Sequence, residues 1–84
     1  MIQLYSKNNC PFCDKAKSLL KIKGIAFEEV KVDEIPTAYE FLVSEGHRAV
    51  PQLYQNGKLL VAGGYNGLAK QSEEFFDQLK GQVC

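Results

Sequence analysis

The sequence lacks the features that mark several classes of protein. Its 84 residues include no tryptophan, one histidine and three cysteines, and ten basic side chains balance ten acidic ones. The zero net charge argues against nucleic acid as the main partner, because phosphate binding needs an excess of lysine and arginine. No apolar run approaches a membrane span, and the four-residue run near the N-terminus is too short for a signal peptide. We therefore expect a single cytoplasmic domain over residues 1–84.

Cys10 and Cys13 are two residues apart, between an apolar run and a helical pattern. Residues 2–6 predict a buried strand, and residues 11–23 predict a helix with Pro11 at its first position. A Cys-x-x-Cys pair between a strand and a helix is typical of a redox-active dithiol. In the first helical turn, residues three apart lie on one side, so the two sulfurs can form a disulfide. The helix N-terminus also favours a thiolate at Cys10.

The segment after this helix predicts a βαβ unit. Residues 26–33 predict a second strand, which would pair parallel to the first with the helix as a right-handed crossover. Thr37 and Glu40 have the spacing of a capping box, which predicts the start of a second helix after Pro36. This second helix is expected to end near Gly46.

The last third of the chain predicts a hairpin and a closing helix. Asn56-Gly57, between strands at 50–54 and 58–62, is a strong hairpin signal. Asn66 predicts the N-cap of a closing helix over residues 68–80. The predicted order is therefore β-α-β-α-β-β-α. This order gives an α/β fold with a four-stranded mixed sheet flanked by helices.

Three segments resemble the glutaredoxins, the small branch of the thioredoxin fold, and the resemblance covers nearly the full chain. The segments are Cys10-Pro11-Phe12-Cys13, Val50-Pro51-Gln52 and Gly63-Gly64. The resemblance implies a thioredoxin-like fold and a glutathione-dependent oxidoreductase that reduces protein disulfides and glutathione mixed disulfides. Cys10 would be the nucleophile and Cys13 the resolving thiol. Glutathione would be a co-substrate, with no tightly bound cofactor and no metal, since the dithiol branch mostly lacks the iron–sulfur cluster that some glutaredoxins share between two chains.

The resemblance also implies how glutathione binds. The Val50–Pro51 bond would be cis and would present the backbone of Val50 to the substrate. The double glycine and the next helix would bind the γ-glutamyl carboxylate, and Lys7 would pair with the glycine carboxylate, as both are anion sites. The glutathione-binding residues implied in this way are Lys7, Phe12, Val50, Pro51, Gly64, Tyr65 and Asn66.

Two departures from the family pattern leave the electron donor open. Asn66-Gly67 follow the double glycine, where the family often has two aspartates, and Ala49 replaces a frequent threonine. Residues 46–51 resemble instead the redoxins that serve ribonucleotide reductase and are reduced by thioredoxin reductase. Those redoxins usually have a tryptophan after the hairpin, which this chain lacks. We therefore favour glutathione as the donor, with thioredoxin reductase as the alternative and ribonucleotide reductase as a family-level partner.

Other interpretations are less favoured. A redox-inert binding module with the same fold would need unreactive cysteines. A zinc site would need His47 and Cys84 as further ligands, and Cys84 is expected to be a free terminal thiol. His47 is expected on a loop surface, and the lysines at 15–23 are expected to solvate one helix face. We expect a monomer.

Overall fold

The computed structural model describes residues 1–81 as a sheet of four strands with four helices. The strands are β1 (Ile2–Ser6), β2 (Phe27–Lys31), β3 (Gln52–Gln55) and β4 (Lys58–Leu59). The helices are α1 (Pro11–Ile22), α2 (Pro36–Ser44), α3 (Gly64–Ala69) and α4 (Glu73–Gly81). Within residues 1–81, no helix has the length and apolar character to cross a membrane.

Strand β1 lies inside the sheet, between β2 and β3, and its side chains are nearly all buried. The strand order is β2-β1-β3-β4, with β1 parallel to β2 and antiparallel to β3. Leu4 lies opposite Glu29 on β2 and Leu53 on β3. The sheet is therefore mixed, and the parallel pair joined by α1 confirms the predicted βαβ unit.

The side chains of β1 alternate between two apolar clusters. Ile2 and Leu4 belong to the larger cluster, and Tyr5 belongs to the smaller one, where its ring stacks on Phe41 with centroids 5.6 Å apart. The larger cluster includes residues of α1, α3 and α4: Ala16, Leu20, Leu68, Phe76 and Leu79. The smaller cluster includes residues of α2 and β3: Ala38, Leu42 and Tyr54. The sheet is therefore covered on both faces, and helix α1, which begins at the cysteine pair, packs on the face with the larger cluster.

The hairpin prediction is confirmed, although its strands are shorter than expected. Asn56 and Gly57 have φ values of +53° and +78°, as a two-residue turn of this kind requires. Strand β3 begins only after Pro51, which has no N–H to give to a ladder. Strand β4 has two residues, and pairing continues beyond it through the Leu60 N–H, 2.8 Å from the Leu53 carbonyl oxygen.

Two predictions of helix starts are wrong. Helix α2 begins at Pro36 with Ile35 as N-cap and no side-chain cap, so Thr37 forms no capping box. Proline explains the shift, because its fixed φ suits the first helical position. Asn66 is not an N-cap either, because α3 begins at Gly64 and its N-cap is Gly63, with φ +88°.

The single closing helix predicted for residues 68–80 is two helices. Helix α3 ends at Ala69, and α4 begins at Glu73. The Ser72 hydroxyl accepts the Phe75 N–H at 3.2 Å, which is the N-cap arrangement of a new helix. The apolar spacing of the two segments is nearly continuous, so the sequence pattern did not reveal the break.

Close packing between α3 and the chain before it requires glycine at position 67. A Cβ on Gly67 would lie 1.7 Å from the Ala62 carbonyl oxygen. In an open helix, Gly→Ala stabilises by about 1 kcal/mol, so a loss of stability would come from this clash. We expect Gly67→Ala to lower the free energy of unfolding by about 2 to 3 kcal/mol in urea denaturation.

Gly46→Ala is the control for that experiment. Gly46 has φ +85° but no heavy atom within 4 Å of an added Cβ, so only backbone strain applies. That strain costs about 1 kcal/mol. A Gly67→Ala protein as stable as the parent would contradict the packing of α3 on Ala62.

Candidate active site

Cys10 and Cys13 lie at the N-terminus of α1 and form a disulfide, with Cα atoms 5.2 Å apart. Cys10 is the N-cap residue, Pro11 follows at the first helical position, and the Cys10 sulfur accepts the Cys13 N–H at 3.2 Å. Cys10 is 7% exposed and Cys13 is fully buried. Cys10, the less buried of the two residues, is therefore the one at whose sulfur the helix directs a backbone N–H.

A polar network attaches the first turns of α1 to the sheet. The buried Ser6 hydroxyl donates to Glu29 Oε2 at 2.7 Å, and Lys17 Nζ lies 3.0 Å from the same oxygen. Lys17 Nζ also lies 3.3 Å from Asp14 Oδ1. The Ser6 hydrogen bond, followed by Lys17, lowers the pKa of Glu29 against the opposing effect of burial. The hydrogen bond from Lys17 to Glu29 raises the pKa of Lys17.

The loop between β1 and α1 is bound to the end of β2. The Asn8 backbone N–H and side-chain amide each donate to Asp33 Oδ2 at 3.0 Å. The same amide donates to Glu34 Oε2 at 2.7 Å. The Asn8 backbone hydrogen bond is the main cause that lowers the pKa of Asp33. Asn9 then adopts φ +57°, and the chain turns into the cysteine motif.

A groove of about 300 Å³ contains most of the predicted glutathione-binding residues. The residues that line it include Phe12, Val50, Pro51, Gly64, Tyr65 and Asn66. We call it the proline groove. The Val50–Pro51 peptide bond is cis, as the resemblance implied. The lining also includes Gln52, which the sequence-based set left out.

The double glycine, Gly63-Gly64, has an unusual backbone geometry and a close backbone contact. Gly63 and Gly64 have φ values of +88° and +57°, which favour glycine. A Cβ on Gly64 would also lie 2.6 Å from the Pro51 carbonyl oxygen. The start of α3 can therefore lie against the proline segment only while this position has no side chain.

An aromatic pair forms one wall of the proline groove. The ring centroids of Phe12 and Tyr65 are 6.2 Å apart, and Lys15 Nζ lies 4.9 Å from the Phe12 centroid and 6.0 Å from that of Tyr65. Phe12 is 50% exposed. Lys15, expected only to solvate a helix face, also contacts both rings. The spacing of Phe12 and Lys15, three apart on a helix, was a signal that they are neighbours.

Lys7 is the one predicted glutathione-binding residue outside the proline groove. It lines a larger cleft of about 570 Å³ beside α2. His47 and Arg48 line the same cleft. Ala49 and Val50 line both spaces, so the two are neighbours across this segment. His47 lies on the loop after α2, as expected, but it is half-buried there, and its Nε2 lies 2.7 Å from the Tyr54 hydroxyl.

Two further expectations concern metals and the C-terminus. Among residues 1–81, no three His, Cys, Asp or Glu side chains are grouped so as to bind a metal ion. Cys84, expected to be a free terminal thiol, lies outside the described residues.

Comparison with known proteins identifies the family. A family model described as Glutaredoxin matches residues 2–60, which include both cysteines and the cis-proline segment. The chain belongs to the glutaredoxin family. The Cys10–Cys13 pair is thus the active-site pair of a family of thiol–disulfide oxidoreductases. The matched region ends before Gly63, so the double glycine is not part of it.

Among curated relatives, the hybrid peroxiredoxin hyPrx5 of Haemophilus influenzae is 39% identical over 69 residues. Glutaredoxin 3 of Escherichia coli is 35% identical over 54 residues, and the glutaredoxin-like protein NrdH of Lactococcus lactis is 43% identical over 51. The matches cover 82%, 63% and 61% of this chain, in that order. They span 28%, 65% and 71% of the relatives' own lengths.

Solved structures confirm the thioredoxin-like fold of the family. The holo form of poplar glutaredoxin C1 has a TM-score of 0.79 at 24% identity, covering 99% of this chain and 78% of that one. The NrdH-redoxin of Escherichia coli has a TM-score of 0.70 at 27% identity, covering 93% and 92%. A buckwheat glutaredoxin–glutathione complex has a TM-score of 0.76 at 21% identity, covering 95% and 76%.

The network at Ser6 predicts a pH-dependent contribution to stability. The pKa of Glu29 is below its ordinary value of 4.5 in the folded protein, so the folded state binds fewer protons there. This contribution is present above about pH 4.5 and is lost as the pH falls through the lowered value. We expect Glu29→Gln to lower the free energy of unfolding by about 1 kcal/mol at pH 7. The difference should shrink below about pH 4.5.

Glu28→Gln is the matched control, since Glu28 lies on the same strand and its side chain is exposed. Urea denaturation of the three proteins between pH 3 and pH 7 is the measurement, a range that spans the carboxylate titration. An equal, pH-independent effect of the two substitutions would exclude the proposed role of the network.

Proposed function

We propose that this chain is a glutathione-dependent thiol–disulfide oxidoreductase of the cytoplasm, acting on protein disulfides and glutathione mixed disulfides. The observation that carries the proposal is the proline groove beside the cysteine pair. Phe12, which stands between the two cysteines, lines this groove together with Val50, Pro51 and Tyr65. A volume of about 300 Å³ lies at the small end of the range for small-molecule sites.

The cysteine geometry supports a two-step reduction. The Cys10 thiolate attacks one sulfur of a substrate disulfide, forms a mixed disulfide with it and releases the other substrate sulfur as a thiolate. The Cys13 thiolate then attacks the Cys10 sulfur, which releases the second substrate thiolate and forms the Cys10–Cys13 disulfide. Cys13 is suited to this second role because it is fully buried and lies three residues away.

Two glutathione molecules would return the pair to its reduced form. The first attacks Cys10, which leaves Cys13 as a thiol and a glutathione mixed disulfide on Cys10. The second attacks the glutathione sulfur, so that glutathione disulfide leaves and Cys10 is again a thiolate. The Cys13 N–H, 3.2 Å from the Cys10 sulfur, stabilises that thiolate as a leaving group.

Glutathione would bind along the segment shared by the two spaces. The tripeptide backbone would pair with Val50, and the γ-glutamyl carboxylate would lie near the N–H groups of Tyr65 and Asn66 in the first turn of α3. Lys7, in the neighbouring cleft, would pair with the glycine carboxylate. The buckwheat glutaredoxin–glutathione complex shares this fold, which supports the proposal at the level of architecture.

Thioredoxin reductase is a second candidate for the electron donor. The 43% identity to a glutaredoxin-like protein NrdH favours it, as does the structural likeness to an NrdH-redoxin described as having a thioredoxin-like activity profile. Ribonucleotide reductase would be a protein substrate on either route. The absence of aspartate after the double glycine is consistent with weak use of glutathione.

Substitution of each cysteine tests the assigned roles. We expect Cys10→Ser to abolish reduction of every disulfide. Cys13→Ser should still reduce glutathione mixed disulfides, because that route needs only Cys10 and free glutathione, but should fail on protein disulfides. The assay measures the reduction of each disulfide substrate with glutathione as the reductant. Circular dichroism checks that each variant is folded.

Two results would contradict this scheme. A folded Cys13→Ser protein without either activity would mean that the roles of the two cysteines are wrong. A parent protein without any disulfide reductase activity would favour the redox-inert binding module instead.

Asn66→Asp tests the donor, because a carboxylate there can pair with the ammonium group of glutathione. A charge-assisted hydrogen bond exceeds a neutral one by about 1 kcal/mol, so the apparent constant for glutathione should improve by up to about fivefold. The gain should shrink in high salt, because charges in an open groove are screened. The measurement is turnover against glutathione concentration at low and high salt.

Asn56→Asp makes the same charge change in the hairpin turn and is the control. It should leave the glutathione dependence unchanged. The alternative donor predicts slow turnover with glutathione in all three proteins and fast turnover with thioredoxin reductase. That outcome would replace glutathione as the donor in the proposal.

A further inference from the structure

The larger cleft is mostly unused by the proposed glutathione contacts. It has a volume of about 570 Å³ and lies between α2 and residues 46–50. Of the residues that line it, only Lys7 and Val50 have a role in glutathione binding. We call it the basic cleft. Because Ala49 and Val50 also line the proline groove, the basic cleft continues directly from the place where a substrate cysteine would lie.

The charged side chains that line the basic cleft, Lys7 and Arg48, are both positive. No aspartate or glutamate of the described chain lines it. This bias is local, since the whole sequence has no net charge. Asp33 and Glu34, which follow β2, are bound to Asn8 instead. The charge therefore suits an occupant with an acidic group.

The rest of the lining is apolar. Val32 and Leu42 contribute to the cleft from the smaller core cluster. Tyr39 and Val43 of α2 also line it, and they are 57% and 53% exposed. Apolar side chains exposed next to positive charge fit an occupant that pairs an acidic residue with a large apolar one.

A hydrogen bond to Tyr54 holds His47, one of the side chains that line the cleft, before any partner binds. The Tyr54 hydroxyl donates to Glu45 Oε1 at 3.2 Å and lies 2.7 Å from His47 Nε2. Because the hydroxyl has one proton, His47 Nε2–H is the donor to Tyr54. Burial, and then Glu45, raise the pKa of Tyr54, so it keeps this proton at neutral pH. A side chain already held in place lowers the ordering cost of binding.

We propose that the basic cleft binds the polypeptide next to the reactive cysteine of a protein substrate, and that it selects an acidic residue beside a large apolar one. The inference rests on the proposed function and adds a substrate preference to it. The cysteine of the substrate would lie in the proline groove at Cys10, and its neighbours would pass over Val50 to Arg48 and Val43.

The test uses three short peptides, each linked to its own copy by one disulfide. Their sequences around cysteine are Leu-Asp-Cys-Asp-Leu, Leu-Lys-Cys-Lys-Leu and Ser-Asp-Cys-Asp-Ser. The reduced protein transfers two electrons to each peptide disulfide and becomes the Cys10–Cys13 disulfide, while two peptide thiols are released. Rate constants are measured at subsaturating peptide, without glutathione. Each is divided by the rate with dithiothreitol, which corrects for the intrinsic reactivity of the peptide.

We expect the corrected rate for the acidic, leucine-containing peptide to exceed that of the lysine peptide about three- to tenfold. It should exceed that of the serine peptide about threefold. Arg48→Gln should lower the first ratio at least twofold, and Val43→Asn should lower the second. Both residues are exposed, so these variants should fold. Lys58→Gln, on β4 outside the cleft, is the control and should change neither ratio.

Hydroxyethyl disulfide, which has no side chains, separates the two proposals. It should react with all variants at rates within twofold of the parent. Normal reaction with it but equal rates for the three peptides would overturn the cleft proposal alone. Ratios unchanged by Arg48→Gln and Val43→Asn would also overturn it. A homodimer in sedimentation that Val43→Asn dissociates would instead identify a second copy as the occupant. No reaction with hydroxyethyl disulfide would refute the proposed function, and the cleft proposal with it.

Discussion

The hydrogen bond from the Cys13 N–H to the Cys10 sulfur is the interaction on which the site depends. It makes a cysteine the N-cap of α1, so the sulfur occupies the place where a helix normally receives a hydroxyl or carboxylate oxygen. Helix α1 stays in that place because Ala16 and Leu20 pack in the larger apolar cluster. Lys17 adds a bond to Glu29, which Ser6 also contacts at the end of β1. The reactivity of the site thus follows from packing a helix end onto a sheet.

A second constraint is steric and fixes the opposite side of the proline groove. Gly64 approaches the Pro51 carbonyl so closely that any side chain would clash, and Gly67 approaches Ala62 in the same way. These contacts place the first turn of α3 opposite Phe12, where Tyr65 completes the aromatic wall. Three separate chain segments therefore form the proline groove: the start of α1 with Phe12, the segment with Pro51, and the start of α3. The close approach of Gly64 to the Pro51 carbonyl sets the spacing of the second and third segments.

The sequence predicted what depends on neighbours in the chain. The cysteine pair, Pro11, the Asn56-Gly57 turn and the two glycines all signal their conformation through local chemistry. The break between α3 and α4 was missed because the apolar pattern is nearly continuous across it, although Ser72 caps the second helix. The contact of Lys15 with Tyr65 joins segments far apart in the chain, and that of His47 with Tyr54 joins a loop to β3, so no local pattern specifies either.

Val50 lines both the proline groove and the basic cleft. In the proposed scheme the disulfide reacts on one side of Val50, and the neighbouring residues of the substrate bind on the other. The proline groove, through which we propose that a disulfide reaches Cys10, has no charged residue in its lining, which suits extended peptides of many sequences. The positive charges of Lys7 and Arg48 lie on the other side of Val50, in the basic cleft. We expect charge in the basic cleft to change which substrate binds more than it changes the environment of the Cys10 sulfur, because salt screens exposed charges. Selectivity can therefore vary along residues 46–49 while the chemistry at Cys10 stays the same.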